Sequence, residues 1–172
     1  KEQALEKLKE LIPSNASVMN GSSTTLHEIG FVDYLKSKEH KWKNMHELVF
    51  GEPERQKQTE LRRQALLSDY FISSVNAISQ NGELIAADAT GTRTGAFLFA
   101  AKHLVIVSGV NKITPNRNEA LKRLEEYAFR LENERAKKVY GSGSNIAKIA
   151  IIGREVFPNR TTLILVKKQL GF

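Results

Sequence analysis

Apolar residues recur at helical spacing from the first turn of the chain. Ala4, Leu5, Leu8, Leu11 and Ile12 predict an amphipathic helix, which Pro13-Ser14-Asn15 then ends. Ser17–Asn20 reads as a short strand and Gly21 as a tight turn. Leu26, Ile29, Phe31, Val32, Tyr34 and Leu35 supply the buried side of a following helix. The stretch from Lys36 to Leu67 is polar and predicts two helical pieces, with Pro53 near the start of the second.

The pattern changes at Ser68. From there to Lys112 charge nearly vanishes, and short apolar runs alternate with turns of small residues. Strands are predicted at Tyr70–Ser73, Glu83–Ala87 and Leu104–Ser108, with a short helix over Thr92–Ala101 between the last two. LVIVSG is a near-continuous apolar run, the pattern of a parallel strand covered on both faces. A long helix follows at Asn118–Lys138, then a further apolar segment in NIAKIAIIGREVF and a last strand at Thr161–Val166. Strands alternating with helices predict an α/β fold: a mostly parallel, Rossmann-like sheet with flanking helices, in one domain over residues 1–172.

Composition narrows the class. A 41% hydrophobic content supports a sizeable core, so disorder is excluded as the default. The chain has no cysteine, which removes disulfides, thiol catalysis and Cys-ligated zinc or iron–sulfur sites, and fits a reducing compartment. No run approaches the roughly 18 apolar residues of a membrane span. The opening residues lack the apolar core of a signal peptide, so a cytoplasmic location is expected. The chain starts at Lys1 rather than methionine, which leaves room for a preceding native segment. The net charge of +7 is uneven: residues 116–172 carry 12 basic and 6 acidic side chains, against 11 and 10 in residues 1–63. Glu and Lys/Arg interleave in that C-terminal part as on a solvated helix, without an aromatic platform, so nucleic acid is not an expected partner.

Three turns fall at predicted strand ends, where open α/β sheets bind ligands. The first holds Gly21, Ser22, Ser23, Thr24 and Thr25, a glycine and four hydroxyls at a helix mouth. These residues receive an anion, cap the helix, or do both. The second, Asp88 to Gly95, contains Gly91, Thr92 and Arg93. The arginine stands among nearly uncharged neighbours and is matched to a carboxylate or phosphate, with an ion pair to Asp88 as the alternative. The third contains Asn111 and Lys112 after the strongest strand, where Lys112 meets a ligand charge or sits in solvent; Asn76 closes another apolar strand and places an amide at the same rim or is an ordinary turn residue. The pattern is neither GxxxxGK[ST] nor GxGxxG. No HExxH or GxSxG is present, so neither a metal site nor a cofactor is expected, and GSGSN at 141–145 reads as a flexible turn able to close over a ligand.

These residues carry a resemblance. MNGSSTTLHEIGFVDYL, the central block from SDYFISSVNAIS to SGVNKIT, and the ending TTLILVKKQLGF resemble the LUD-domain family, the lactate-utilisation protein C group. The resemblance implies a fold like the NagB, ribose-5-phosphate isomerase and CoA-transferase group. Within that group GSSTT looks like the isomerases' phosphate loop and GVNK like their strand-end lysine region. Val75, Asn76 and Ala77 stand where the isomerases carry carboxylates, and Gln80 precedes Asn81-Gly82 where the CoA-transferases place a glutamate nucleophile. Many family members carry Gly-Asn-Arg where this chain has Gly91-Thr92-Arg93, and a cysteine-bearing stretch where it has YGSGSN. The resemblance implies a part in converting L-lactate to pyruvate beside iron–sulfur partner subunits. The chain is expected to bind a small anionic ligand, a carboxylate or phosphate, and a homo-oligomer is compatible with the sequence. The alternatives are a stand-alone enzyme on a phosphorylated or acyl substrate, and a non-catalytic scaffold.

Overall fold

The computed structural model describes all 172 residues. Helix α1 (Glu2–Leu11) buries Ala4 and Leu8, and its cap Ile12 turns extended ahead of Pro13, whose ring disfavours a helical residue before it. Strand β1 (Ser17–Asn20) follows. The single helix expected after Gly21 is two helices, α2 (Thr24–Glu28) and α3 (Phe31–Ser37). Gly30 makes the break by taking a left-handed φ of 79°, a conformation that glycine enters without a Cβ clash. Strand β2 (Lys43–Asn44), too short and polar to read as one, leads into α4 (Met45–Gly51) and then α5 (Arg55–Ala65).

The central block gives β3 (Tyr70–Ser73), β4 (Ala77–Ser79) and β5 (Leu84–Asp88). Helix α6 (Thr92–Gly95) continues as a π turn over Ala96–Ala100, then β6 (His103–Gly109), a 3₁₀ turn at Val110–Lys112 and β7 (Ile113–Thr114). Helix α7 (Arg117–Arg123) runs through a second π turn, Leu124–Ala128, into α8 (Phe129–Tyr140). Strands β8 (Lys148–Ile152) and β9 (Thr161–Val166) complete the order.

Five strands form one wholly parallel sheet in the order β2-β1-β3-β6-β9, flanked by helices in a Rossmann-like arrangement. Alternate residues of these strands serve opposite faces. Val18, Ile72, Val105 and Val107 pack with Leu8, Leu26 and Phe31 from α1 to α3. Met19, Phe71, Leu104 and Ile106 pack on the other side with Val49, Ala65 and Phe97. Both faces are therefore covered, which explains the uninterrupted apolar reading of β6.

The strand expected at 83–87 forms as β5 but lies outside this sheet. It is an inner strand of a second, mixed sheet in the order β7-β4-β5-β8. The cause is local: Gly82 N donates to Ser79 O (2.9 Å) and Ser79 N to Glu83 O (2.9 Å), so Gln80-Asn81-Gly82 turns β4 straight back into an antiparallel β5. The chain passes from the first sheet to the second twice, at Ser74–Asn76 after β3 and at Val110–Lys112 after β6. Both passages lie at C-terminal strand ends, beside the end of β1 at Gly21.

Candidate binding site

At these strand ends the fold encloses a cavity of about 740 Å³. Gly21 enters it from β1 and is fixed by its N–H, which donates to Ile72 O (3.0 Å). A Cβ at Gly21 would lie 2.8 Å from Ser73 Oγ and 3.3 Å from Arg93 Cδ, so any larger residue would displace these side chains. Ser23 caps α2 by accepting from Leu26 N (3.4 Å), while Thr25 Oγ1 accepts from the ammonium of Lys112 at 3.1 Å. Capping is thus one real role of this turn.

Arg93 comes from the start of α6. Its Nη2 donates to Ala87 O and to Asn76 Oδ1 (3.4 Å), and Asn76 Oδ1 also accepts from Ala87 N (2.9 Å). Asn76 therefore positions the arginine against the end of β5. The Asp88–Arg93 ion pair entertained from the sequence is not made. Asp88 instead accepts from Gly91 N, Thr94 N (2.9 Å) and Thr94 Oγ1 (3.3 Å), capping α6. Burial pushes the Asp88 carboxyl up, but these N–H bonds and the Arg93 charge outweigh it and hold it below the usual carboxylate range. The Arg93 guanidinium forms no ion pair with any carboxylate, and its buried Nε has no hydrogen-bond partner.

Lys112 is 3% exposed, not solvated. Its Nζ donates to Ser74 Oγ (3.0 Å), Val75 O (3.0 Å) and Thr25 Oγ1, all neutral oxygens. Burial, then the charges of Arg123 and Arg93, lower its pKa to about 7 against the opposing pull of Glu28.

Of the residues singled out from the sequence, Gly21 to Thr25, Asn76, Thr92, Arg93 and Lys112 line the cavity. Gly91 and Asn111 do not. Gly91 turns the chain into α6 with a φ of 97°, packed against the Lys148 side chain. Asn111 holds the end of the chain: its Oδ1 accepts from Leu170 N (3.0 Å) and its Nδ2 donates to Gly171 O (3.2 Å). Ser142, Ser144 and Asn145 of the glycine–serine turn also line the cavity, pinned where Ser144 N donates to Asn133 Oδ1 (2.9 Å).

Sequence reasoning missed the walls given by α4, α5 and α8. His46 stacks on Phe50 with ring centroids 4.3 Å apart, and Arg62 covers the same ring at 5.0 Å. Burial and the nearby His27, Lys36 and Arg62 charges lower the His46 pKa. Arg55 and Arg62 are seven residues apart on α5 and so share a face, the one signal in the sequence that paired them. On α8, Arg135 makes a bidentate pair with Glu132 (2.8 and 2.6 Å), which raises the arginine's pKa.

The lining carries five basic side chains, Arg55, Arg62, Arg93, Lys112 and Arg135, against the acids Asp88 and Glu132. The chain's three buried side-chain polar atoms without a hydrogen-bond partner, Asn20 Oδ1, Arg62 Nε and Arg93 Nε, all belong to residues of this lining. No three His, Asp or Glu side chains gather as ligands for a metal ion, and no helix is long and apolar enough to cross a membrane.

Compared with known proteins, residues 1–166 match the family model of the LUD domain. No curated protein matches the chain.

Proposed function

This chain belongs to the LUD-domain family, and from that premise we propose that it binds a small organic acid in the cavity as the ligand-binding component of L-lactate utilisation. The single observation that carries the reading is the orphaned polar set. Buried polar atoms are normally paired, and here the exceptions all belong to residues that line one cavity. Arg93 and Arg62 offer N–H donors that a carboxylate accepts. Asn20 offers an acceptor that a hydroxyl satisfies, its orientation set by Nδ2 donating to Gly21 O (3.4 Å). A 2-hydroxy acid has both groups.

Oxidising lactate to pyruvate releases two electrons and two protons. The chain has no cysteine with which to ligate an iron–sulfur cluster, so in this reading partner subunits in the cytoplasm take the electrons. A second reading, a larger phosphorylated or acyl substrate, is favoured by the cavity's volume. At about 740 Å³ it falls in the ~300–1,000 Å³ range of sites for drug-sized ligands, and a three-carbon acid fills only one end.

Thermal-shift binding against lactate, pyruvate, sugar phosphates, CoA, nucleotides and sulfate separates the two. A selective shift with the hydroxy or oxo acid, lost in Arg93→Ala, supports the first reading. A shift with CoA or nucleotides alone replaces it by the second.

A further inference from the structure

We propose that Lys112 captures a carbonyl ligand covalently: its amine condenses with the ketone of a 2-oxo acid bound in the cavity and forms an imine. The proposal rests on the reading of this cavity as an organic-acid site and adds a reactive group to it.

The geometry is unusual for a lysine. Lysine is almost never fully buried without an acidic partner, yet Lys112 is 3% exposed, lines the cavity, and holds only neutral oxygens. The charged groups that act on it are Arg93 from α6, Arg123 from α7 and Glu28 from α2, two cations against one acid. Removing the amine from water and placing it beside like charge favours its neutral, nucleophilic form, and the pKa of about 7 follows from that arrangement.

Arg123 is itself fixed. Its Nη1 donates to Asn76 O (2.5 Å) and its Nε to Asn111 O (3.3 Å), so it ties together the two passages between the sheets. The like charge beside Lys112 is thus a built feature of the fold.

A neutral amine has two N–H groups and one lone pair. Val75 O only accepts, whereas the hydroxyls of Thr25 and Ser74 each accept or donate. Thr25 Oγ1 already donates to Leu170 O (3.4 Å), so with Val75 O and Thr25 accepting from the amine, the Ser74 hydroxyl is free to donate to the ligand's carbonyl oxygen. The nitrogen lone pair then forms a C–N bond as the C=O π pair moves to oxygen. The carbinolamine takes up a proton on its hydroxyl, loses water and gives up the nitrogen proton, leaving C=N. Overall, amine plus ketone gives imine plus water, with no change of oxidation state. The carboxylate goes to Arg93, which packs against Gly21, while Lys112 is bound to Thr25 of the same turn. A 2-hydroxy acid has no ketone and forms no imine, so the residue distinguishes the oxidised acid from the reduced one.

The test is to incubate the full chain with pyruvate and borohydride, then to read intact mass and map the peptides. The expected result is one reduced adduct per chain, on Lys112, exceeding that on any other lysine by about tenfold or more. Its yield falls as pH drops below about 7. Lactate gives no adduct, and neither does Lys112→Arg with an unchanged circular dichroism spectrum. The wild-type peptide map decides the matter even if that variant does not fold. Adducts scattered over surface lysines, or none at all, overturn the proposal. If none forms while pyruvate still gives an Arg93-dependent thermal shift, imine formation fails and the organic-acid reading stands. If pyruvate and lactate give neither adduct nor shift, both fail.

Discussion

Arg93 packs against Gly21 so closely that a Cβ there would stand 3.3 Å from Arg93 Cδ and 2.8 Å from Ser73 Oγ, and both side chains would have to give way. Two turns more than seventy residues apart are thereby made into one site. Gly21→Ala is expected to displace Arg93 and Ser73, costing about 1–3 kcal/mol of stability as an overpacking change. It is also expected to weaken organic-acid binding by roughly tenfold, about 1.4 kcal/mol. Chemical denaturation and titration calorimetry on the same variant check the two effects separately.

Arg93 is a part-buried cation whose buried Nε is unpaired and which makes no ion pair, so the site is held at some expense to the ligand-free fold. Arg93→Met is expected to melt no lower than the wild type without ligand, and to lose the ligand-induced rise in Tm. Melting curves with and without lactate or pyruvate provide the check. A several-degree drop without ligand would mean that Arg93 is a structural residue held by Ala87 and Asn76.

Lys112 couples the site to pH. Its folded-state pKa of about 7 lies below its ordinary 10.5, so between these values the unfolded chain holds a proton that the folded chain lacks. The sign follows: Lys112 opposes folding fully below about pH 7, and that opposition fades as pH rises toward 10.5. The wild type is expected to gain stability relative to Lys112→Met between pH 7 and pH 9.5. Denaturation midpoints of the pair across that window measure the difference directly.

Away from the cavity, Arg160 closes the π turn after α6. It is 8% exposed, donates to Ala96 O (3.0 Å), Phe97 O (3.0 Å) and Ala101 O (3.1 Å), and pairs with Glu155 at 2.7 Å. Burial would raise the Glu155 carboxyl, but hydrogen bonds from Arg160, Thr161 and Phe157 N prevail and hold it at about 2. A depressed carboxylate stabilises the fold above its ordinary 4.5 and loses that contribution as pH falls toward 2. Glu155→Gln is expected to flatten the stability profile between pH 4.5 and 2. Arg160→Ala should cost about 2–4 kcal/mol at neutral pH by removing its bonds to three carbonyls, of which Ala96 O keeps only Ala101 N (3.3 Å), and its pair with Glu155. Urea midpoints at several pH values test both.

The parallel sheet was legible because its inner strands β1, β3 and β6 are buried on both faces and read as apolar runs, β6 most clearly. Strands β2, β4 and β7 were not, since two or three residues carry no periodicity, and the second sheet depends on the pairing set by the turn at Gly82. In the site, Gly21, Arg93 and Lys112 stood out as a glycine beside four hydroxyls and as charges in nearly uncharged surroundings. His46, Phe50, Arg62 and Arg135 did not, because on polar helices only the packing of those helices decides which charges face inward. Asn111 misled for a related reason: it sits one residue from Lys112, but its side chain turns to the C-terminal segment.

Organic-acid binding at Arg93 is measured by titration calorimetry of the purified chain with lactate and pyruvate, repeated with Arg93→Met. Saturable, one-to-one binding is expected, weakened by the substitution by about tenfold or more, a loss of at least about 1.4 kcal/mol. Binding of equal strength to both proteins, or no heat from either acid, would contradict binding at Arg93.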